Sequence, residues 1–175
     1  MIMGPRLHKF VLTMHITSSV GWLGSVTGFL VLAVAGLTGQ DSQVVRAAYL
    51  AMELVASFVI VPLSLASLLT GLVQALGTKW GLLRHYWIVF KLVINVVSTL
   101  LLLVHMQPIT HLADVAARTT LASGDYFLLQ VQLVADATYA VVALLVATTL
   151  SVYKPRGMTR YGWRKQRKQR MLSQP

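Results

Sequence analysis

The chain contains no cysteine and few charged residues. Without cysteine among its 175 residues, it cannot form disulfides, bind a metal through thiolates or use a cysteine nucleophile. Charged residues make up only 11% of the chain, against about 25% in a typical soluble domain. Walker, HExxH and dinucleotide-binding glycine motifs are also missing from the sequence. The composition argues against a water-soluble enzyme domain.

What the sequence does have is four long apolar stretches, at about 10–35, 49–76, 87–106 and 127–152. Each is long enough for an α-helix, which rises ~1.5 Å per residue, to cross ~30 Å of hydrocarbon. The first stretch exceeds the roughly 7–15 apolar residues of a signal peptide, so we expect it to remain as a span. We therefore predict an all-α polytopic membrane protein. Residues 1–153 would form an antiparallel four-helix transmembrane bundle, followed by a basic tail at 154–175.

The net charge of +10 has an uneven distribution that predicts topology. Thirteen of the fifteen Lys and Arg lie at the N-terminus, in or beside the second connection, or in the tail. Only Arg46 and Arg118 lie in the first and third connections. This is the positive-inside pattern of a multi-pass protein of the plasma or inner membrane. It predicts that both termini are cytoplasmic.

The tail is a basic segment beside the last span. It contains eight Lys or Arg and no acid, with Tyr161 and Trp163 among them. Such a segment is attracted to anionic lipid headgroups by about 1 kcal/mol per basic residue. We expect lipid rather than nucleic acid as its partner, and expect much of the tail to be disordered.

Each apolar stretch carries one stripe of small or polar residues at helical spacing, opposite a face of Leu, Val and Ile. Stripes of this kind predict faces that pack inward in a bundle. Pro62, in the middle of the second stretch, removes one helical hydrogen bond and predicts a kink in its helix. The stripes are Gly21, Gly24, Ser25 and Gly28; Glu53, Ser57, Ser64, Ser67 and Gly71; Lys91, Asn95, Ser98 and His105; and Gln132, Asp136, Ala140, Ala143 and Ala147.

The ionisable residues in the spans are the candidate functional residues, because each costs about 2.5–3.5 kcal/mol to insert. Counting residues from the span ends puts His15 and Lys91 in one layer. Asp136 reaches neither interface, so we expect it to be protonated or paired with Lys91 or a histidine. Lys91 snorkelling to headgroups, or a neutral structural His15, are alternative explanations.

Four further residues complete the predicted set. Asn95 lies near the middle of the membrane. Glu53 lies toward the outer face, where a side chain that only reaches the interface is the alternative to a functional role. Trp22 lies seven residues after His15 on the same side of the first span. His105 lies toward the outer face, at the far end of its stripe.

A second candidate group lies at the end of the third span. His105, Met106 and His111 carry imidazole and thioether ligands, which suit copper. Their spacing of six residues across Pro108 is not that of a known ligand motif, so the end of a helix is the alternative interpretation.

The sequence resembles the CopD-like membrane proteins, a group that includes copper resistance protein D and the HemJ-type protoporphyrinogen oxidases. As a whole it most resembles a branch of four-helix proteins in that superfamily whose function is not established. The resemblance is carried by His15, Gly21, Trp22, Leu23 and Gly24 in the first span, by Met52-Glu53, Pro62 and Thr70-Gly71-Leu72 in the second, and by Trp87 and Lys91-Leu92 in the third.

The resemblance implies a b-type haem between His15 as axial ligand and Lys91 as second ligand or propionate partner, with Asn95 and Trp22 nearby and Glu53 and Asp136 carrying protons. A redox partner in the membrane, or a homo-oligomer that shares the haem, would follow. Oxidase activity is not predicted, because the outer connection is longer and the third span ends differently. Copper transport or delivery, and a non-catalytic assembly role, remain as alternatives.

Overall fold

The computed structural model describes residues 3–77, 82, 85–118, 126–154 and 157–172, and every regular element in this part of the chain is a helix. Four helical stretches are long and apolar enough to cross a membrane: Pro5–Thr38, Ser42–Gly77, Tyr86–Arg118 and Phe127–Tyr153. The all-helical class is therefore confirmed, as is the prediction of four helices long and apolar enough to cross a membrane. The elements in chain order are α1 (Pro5–Thr38), α2 (Ser42–Val55), a π-helical turn (Ala56–Ile60), α3 (Val61–Gly77), α4 (Tyr86–Arg118), α5 (Phe127–Tyr153) and α6 (Arg160–Leu172).

The second span is interrupted at the place that Pro62 predicts. Proline has no N–H to donate to the carbonyl of Phe58, and the five residues Ala56–Ile60 adopt the wider π-helical turn. Within this turn the Val61 N–H donates to the Ala56 carbonyl, five residues back. The helix thus accommodates the proline by forming one wider turn, and it continues beyond it.

Two elements extend beyond what the sequence predicted. α4 continues through Pro108 as far as Arg118, twelve residues past the end of the third apolar stretch. The tail, which was expected to be disordered, contains the helix α6. Charge alone did not predict α6, because basic side chains are compatible with both a coil and a helix.

The helix ends follow local chemistry. Pro5 occupies the first position of α1, where its missing N–H has no helical partner to lose. Asp41 caps α2 by accepting a hydrogen bond from the Gln43 backbone N–H at 2.8 Å. α5 ends at Lys154, which has a left-handed conformation with φ of 43° and donates its N–H to the Leu150 carbonyl.

The helices pack around one core. α1 lies along α2, α3 and α5, and α4 lies along the same three helices, so α1 and α4 occupy opposite corners of the bundle. The residues that α1 buries recur every three or four positions, which gives one continuous inward face. The core contains Trp22, Val26, Phe29, Ala33, Tyr49, Met52, Ala56, Ile60, Ile109, Leu112, Ala116, Leu133, Ala137 and Leu144.

The outer surface of the bundle is apolar, as expected where lipid replaces water. Side chains such as Phe10, Phe58, Phe90 and Leu128 are more than half exposed. Some of the small residues of α1 face the neighbouring helices, and others face the outer surface of the bundle. Gly21 contacts Leu63, whereas Gly24 and Gly28 are exposed and have no other atom within 4 Å of an added Cβ. The spacing of Gly24 and Gly28, four residues apart, is typical of a close helix approach, but no described residue makes that approach here.

α1 and α2 pack closely at Gly36, where a Cβ atom would lie 2.7 Å from the Tyr49 ring. We predict that Gly36→Ala lowers the free energy of unfolding by about 1–3 kcal/mol, because the Tyr49 ring has to move out of a packed core. Reversible unfolding in mixed detergent micelles measures this change. Gly28→Ala is the matched control, since its added methyl meets open space. Equal loss in both variants would contradict the packing described here.

Candidate functional site

The first polar group in the bundle is centred on His15, and we call His15, Ser67, Thr70 and Lys91 the His15 cluster. His15 is buried on the inward face of α1. Its Nδ1 atom lies 3.1 Å from the Ser67 carbonyl oxygen and 3.1 Å from the Thr70 hydroxyl oxygen, both on α3. A carbonyl oxygen only accepts, so Nδ1 carries the hydrogen and donates it. In the neutral ring, Nε2 is then left with a free lone pair.

Two features of α3 make room for this contact. Gly71 lies against the imidazole, and a Cβ at this position would come within 3.0 Å of His15 Cε1. The Thr70 hydroxyl donates in turn to the Ala66 carbonyl at 2.6 Å, which leaves its oxygen facing Nδ1 as an acceptor. The ring is therefore fixed in both position and tautomer.

Lys91 completes the cluster from the opposite corner of the bundle. Its Nζ lies 3.4 Å from His15 Nε2. The two residues that sequence counting puts in one layer are thus in contact. Lys154, at the end of α5, is close enough to act electrostatically on Lys91, so this end of the bundle is rich in positive charge.

The polar groups around the cluster connect α1 with α3 a second time. Ser19 and Ser67 share a hydrogen bond of 2.8 Å between their hydroxyl groups. Asn95 is buried one turn beyond Lys91 on α4, and its amide donates to the Lys91 carbonyl at 3.1 Å. The predicted site residue Asn95 therefore lies beside the cluster and bonds to its own helix.

The second polar group consists of His105, Gln132 and Asp136, which we call the His105 cluster. His105 Nδ1 donates to the Leu101 carbonyl in its own helix at 2.8 Å. Its Nε2 faces α5, 3.0 Å from Gln132 Nε2 and 3.1 Å from Asp136 Oδ2. The expected pairing of Asp136 with a histidine is present. The structure brings to one level two residues that sequence counting had put in different layers.

The two ring nitrogens of His105 have different roles. Because Nδ1 donates to a carbonyl, Nε2 of the neutral ring is an acceptor, and the Gln132 amide donates to it. Asp136 Oδ2 lies close to Nε2 but is itself buried and makes no hydrogen bond with the described residues.

The remaining predicted residues lie outside both clusters. Trp22 is fully buried in the core, two turns beyond His15. Glu53 is half-buried on α2, one residue after the buried Met52. His111 is exposed on α4, with its ring 5.9 Å from that of Tyr126.

The proposed copper ligands lie on one continuous helix. Six residues of α-helix put His111 about a third of a turn away from the face of His105, and His105 is already engaged by α5. In the described parts of the chain, no three His, Asp or Glu side chains lie close enough together to hold a metal ion. Copper binding stays a prediction from the residue types alone.

Sequence reasoning did not predict the hydrogen-bond partners of His15. Ser67 acts mainly through its backbone carbonyl, which every residue possesses, so no sequence signal marks it. Thr70 lies three residues after Ser67 and directly before Gly71. That helical spacing was the available signal.

Comparisons with protein-family models, with curated proteins and with solved structures found no match for this chain. The assignment of chemistry therefore depends on the two clusters themselves.

We predict that His105 and Asp136 are energetically coupled. His105→Ala should lower the free energy of unfolding by about 1–3 kcal/mol, because it leaves the buried part of Asp136 without its partner. The double variant His105→Ala/Asp136→Ala should lose less than the sum of the single variants, with a coupling of about 0.5–1.5 kcal/mol.

Unfolding of all variants in mixed detergent micelles measures the coupling. Thr138→Ala is the control, because Thr138 is exposed and its hydroxyl bonds only to Val134 in its own helix. Strict additivity of the two single variants would contradict the pairing.

Proposed function

We propose that the chain is a multi-pass protein of the plasma or inner membrane that binds b-type haem at the His15 cluster and serves a redox role. The observation that supports this most directly is the hydrogen bond from His15 Nδ1 to the Ser67 carbonyl. Metal-binding histidines commonly donate their second ring N–H to a carbonyl or carboxylate, which sets the tautomer and the ring orientation. His15 has that arrangement, and its Nε2 lone pair faces Lys91 Nζ on α4.

The donor set of the cluster fits a haem. His15 would supply an axial nitrogen ligand, and Gly71 leaves room for the imidazole to pack against α3. Lys91, with its Nζ 3.4 Å from Nε2, offers either a second nitrogen or a positive charge for a propionate. When bound, the haem would supply one-electron transfer. The residues of this chain would orient it and exclude water from it.

The proposed topology is an antiparallel bundle with both ends of the chain in the cytoplasm. The charge distribution supports it, since the basic residues concentrate at the chain ends and at the second connection. The electrostatic influence of Lys154 on Lys91, and the bridge between His85 and Met158, are consistent with the tail lying at the same end of the bundle as the second connection. Anionic lipid headgroups would then bind the basic tail.

We expect the purified protein to carry a haem absorption band that depends on His15. The chain is expressed with a haem precursor in the medium and purified in mild detergent, and its Soret band is recorded. His15→Ala should abolish the band, and Lys91→Met should shift or weaken it. His105→Ala is the matched control, because it removes an imidazole from the other cluster and should leave the band in place. A colourless wild-type protein, or a band that His15→Ala leaves unchanged, would count against haem binding.

The topology has a direct test because the chain has no cysteine. Single cysteines are introduced at two exposed positions, as Ser42→Cys and Met171→Cys. In intact cells, a membrane-impermeant maleimide should label the first variant and not the second, and permeabilised cells should allow both to be labelled. Labelling of Met171→Cys in intact cells would contradict cytoplasmic ends.

A further inference from the structure

The outward face of α5 carries two polar side chains within an otherwise apolar surface. Gln132 is exposed, and the side chain of Asp136 is 41% exposed. Phe127 and Leu128 are exposed before them on the helix, and Val142 is exposed after them. The amide and the carboxyl group are therefore surrounded along the helix by side chains that suit hydrocarbon.

Two other helices of the bundle lack such residues on their outward faces. The exposed side chains of α3, and those of α4 from Phe90 to Val104, are all apolar. The exposed threonines of α5 are no exception, because their hydroxyls bond to carbonyls in their own helix. Gln132 and Asp136 therefore need an explanation of their own.

Hydrocarbon would leave both side chains without hydrogen-bond partners. Asp136 lies nine residues, or ~14 Å, from the first residue of α5. An ionisable group at that depth in a span is costly to expose to lipid. Within the described helices, Gln132 makes one hydrogen bond, to His105, although an amide offers two donors and an acceptor. If α5 spans a membrane, a protein surface is the environment that satisfies this face.

The exposed residues of α5 also follow a seven-residue repeat. Alternate steps of four and three residues connect them, which is the spacing by which two parallel helices pack along a common seam. The helix buries Leu133, Ala137 and Leu144 on its opposite side, so the seam is free of contacts to its own bundle. The seam residues are Leu128, Gln132, Ala135, Tyr139, Val142 and Val146.

A second copy of the chain supplies the groups that this seam needs. In a parallel pair of α5 helices related by a twofold axis, each seam residue lies opposite its own counterpart. Two Gln132 side chains can then bond to each other, since an amide both donates and accepts. A single polar residue in an apolar seam also fixes the register of such a pair. Asp136, which would attract a basic partner, lies beside the seam rather than on it.

We propose that two copies of this chain associate through the outward face of α5. The two α5 helices run parallel, and the two Gln132 amides are hydrogen-bonded to each other across the twofold axis. The association covers the exposed part of Asp136. It goes beyond the proposed haem binding and does not depend on it, because the His15 cluster lies on α1, α3 and α4.

Disulfide cross-linking tests the seam directly, because the chain has no cysteine of its own. Ala135→Cys and Val142→Cys each put one thiol on the seam, opposite the same thiol of the second copy. In membranes treated with copper phenanthroline, both variants should form a dimer on a non-reducing gel. Leu100→Cys is the matched control and should stay monomeric, because Leu100 is 57% exposed, against 54% for Val142, but lies on α4.

Sedimentation equilibrium of the full chain in mild detergent measures the strength of the association. The wild type should show the mass of two copies. Gln132→Leu should weaken the dimer by about three- to twentyfold, the effect of a hydrogen bond between membrane helices. Ala135→Trp should weaken it by more than tenfold through a clash alone, and its helicity should stay that of the wild type because Ala135 is exposed. Val104→Trp, on the outward face of α4, is the control and should dimerise normally.

His15→Ala should also dimerise as the wild type does, which separates a failure here from a failure of haem binding. The proposal is overturned if the wild type sediments as a monomer, or if a different polypeptide takes the place of the second copy. It is equally overturned if Leu100→Cys cross-links as readily as Val142→Cys, or if Val104→Trp weakens the dimer as much as Ala135→Trp.

Discussion

The structure depends on the need of polar side chains among apolar helices to find partners without water. A hydroxyl can donate a hydrogen bond to the backbone carbonyl one turn back in its own helix, as those of Ser25, Thr27 and Thr138 do. Such bonds satisfy the group but specify no neighbouring helix. Histidine, lysine and the acidic residues have no equally complete local partner. Their contacts across helices therefore define how the bundle is assembled.

Two such groups of cross-helix contacts lie within the described helices, and both involve α4. Lys91 and His105 both lie on α4, fourteen residues or ~21 Å apart along its axis. Lys91 reaches diagonally to α1, whereas His105 contacts its neighbour α5. Because the two clusters have no residue in common, a substitution in one is not expected to disturb the geometry of the other. α4 holds both clusters in a fixed relation along the bundle.

Hydropathy and helical periodicity predicted much of this arrangement. The number of apolar helices follows from the length needed to cross hydrocarbon, and counting residues along the helices put His15 and Lys91 in one layer, where the structure brings them into contact. The faces that pack were harder to predict on α1, because Gly21, Gly24 and Gly28 offer small residues on two sides of the helix. Only the position of α3 decides that Gly21 faces inward. The pairing of His105 with Asp136 could not be assigned either, since Lys91 and two histidines were all candidate partners. Tertiary structure selects one of them.

The wide turn at Ala56–Ile60 has a consequence for the far end of the second span. Met52, Ala56, Ile60 and Ser64 are all buried at successive intervals of four residues. In a regular α-helix each such interval rotates the side chain by about 40° beyond a full turn, so three intervals would rotate it by about 120°. The additional residue in the π-helical turn offsets most of this rotation, so the buried faces of α2 and α3 point in nearly the same direction. Without that one additional residue, the Ser67 carbonyl would point away from α1, and His15 would lose the acceptor that sets its tautomer.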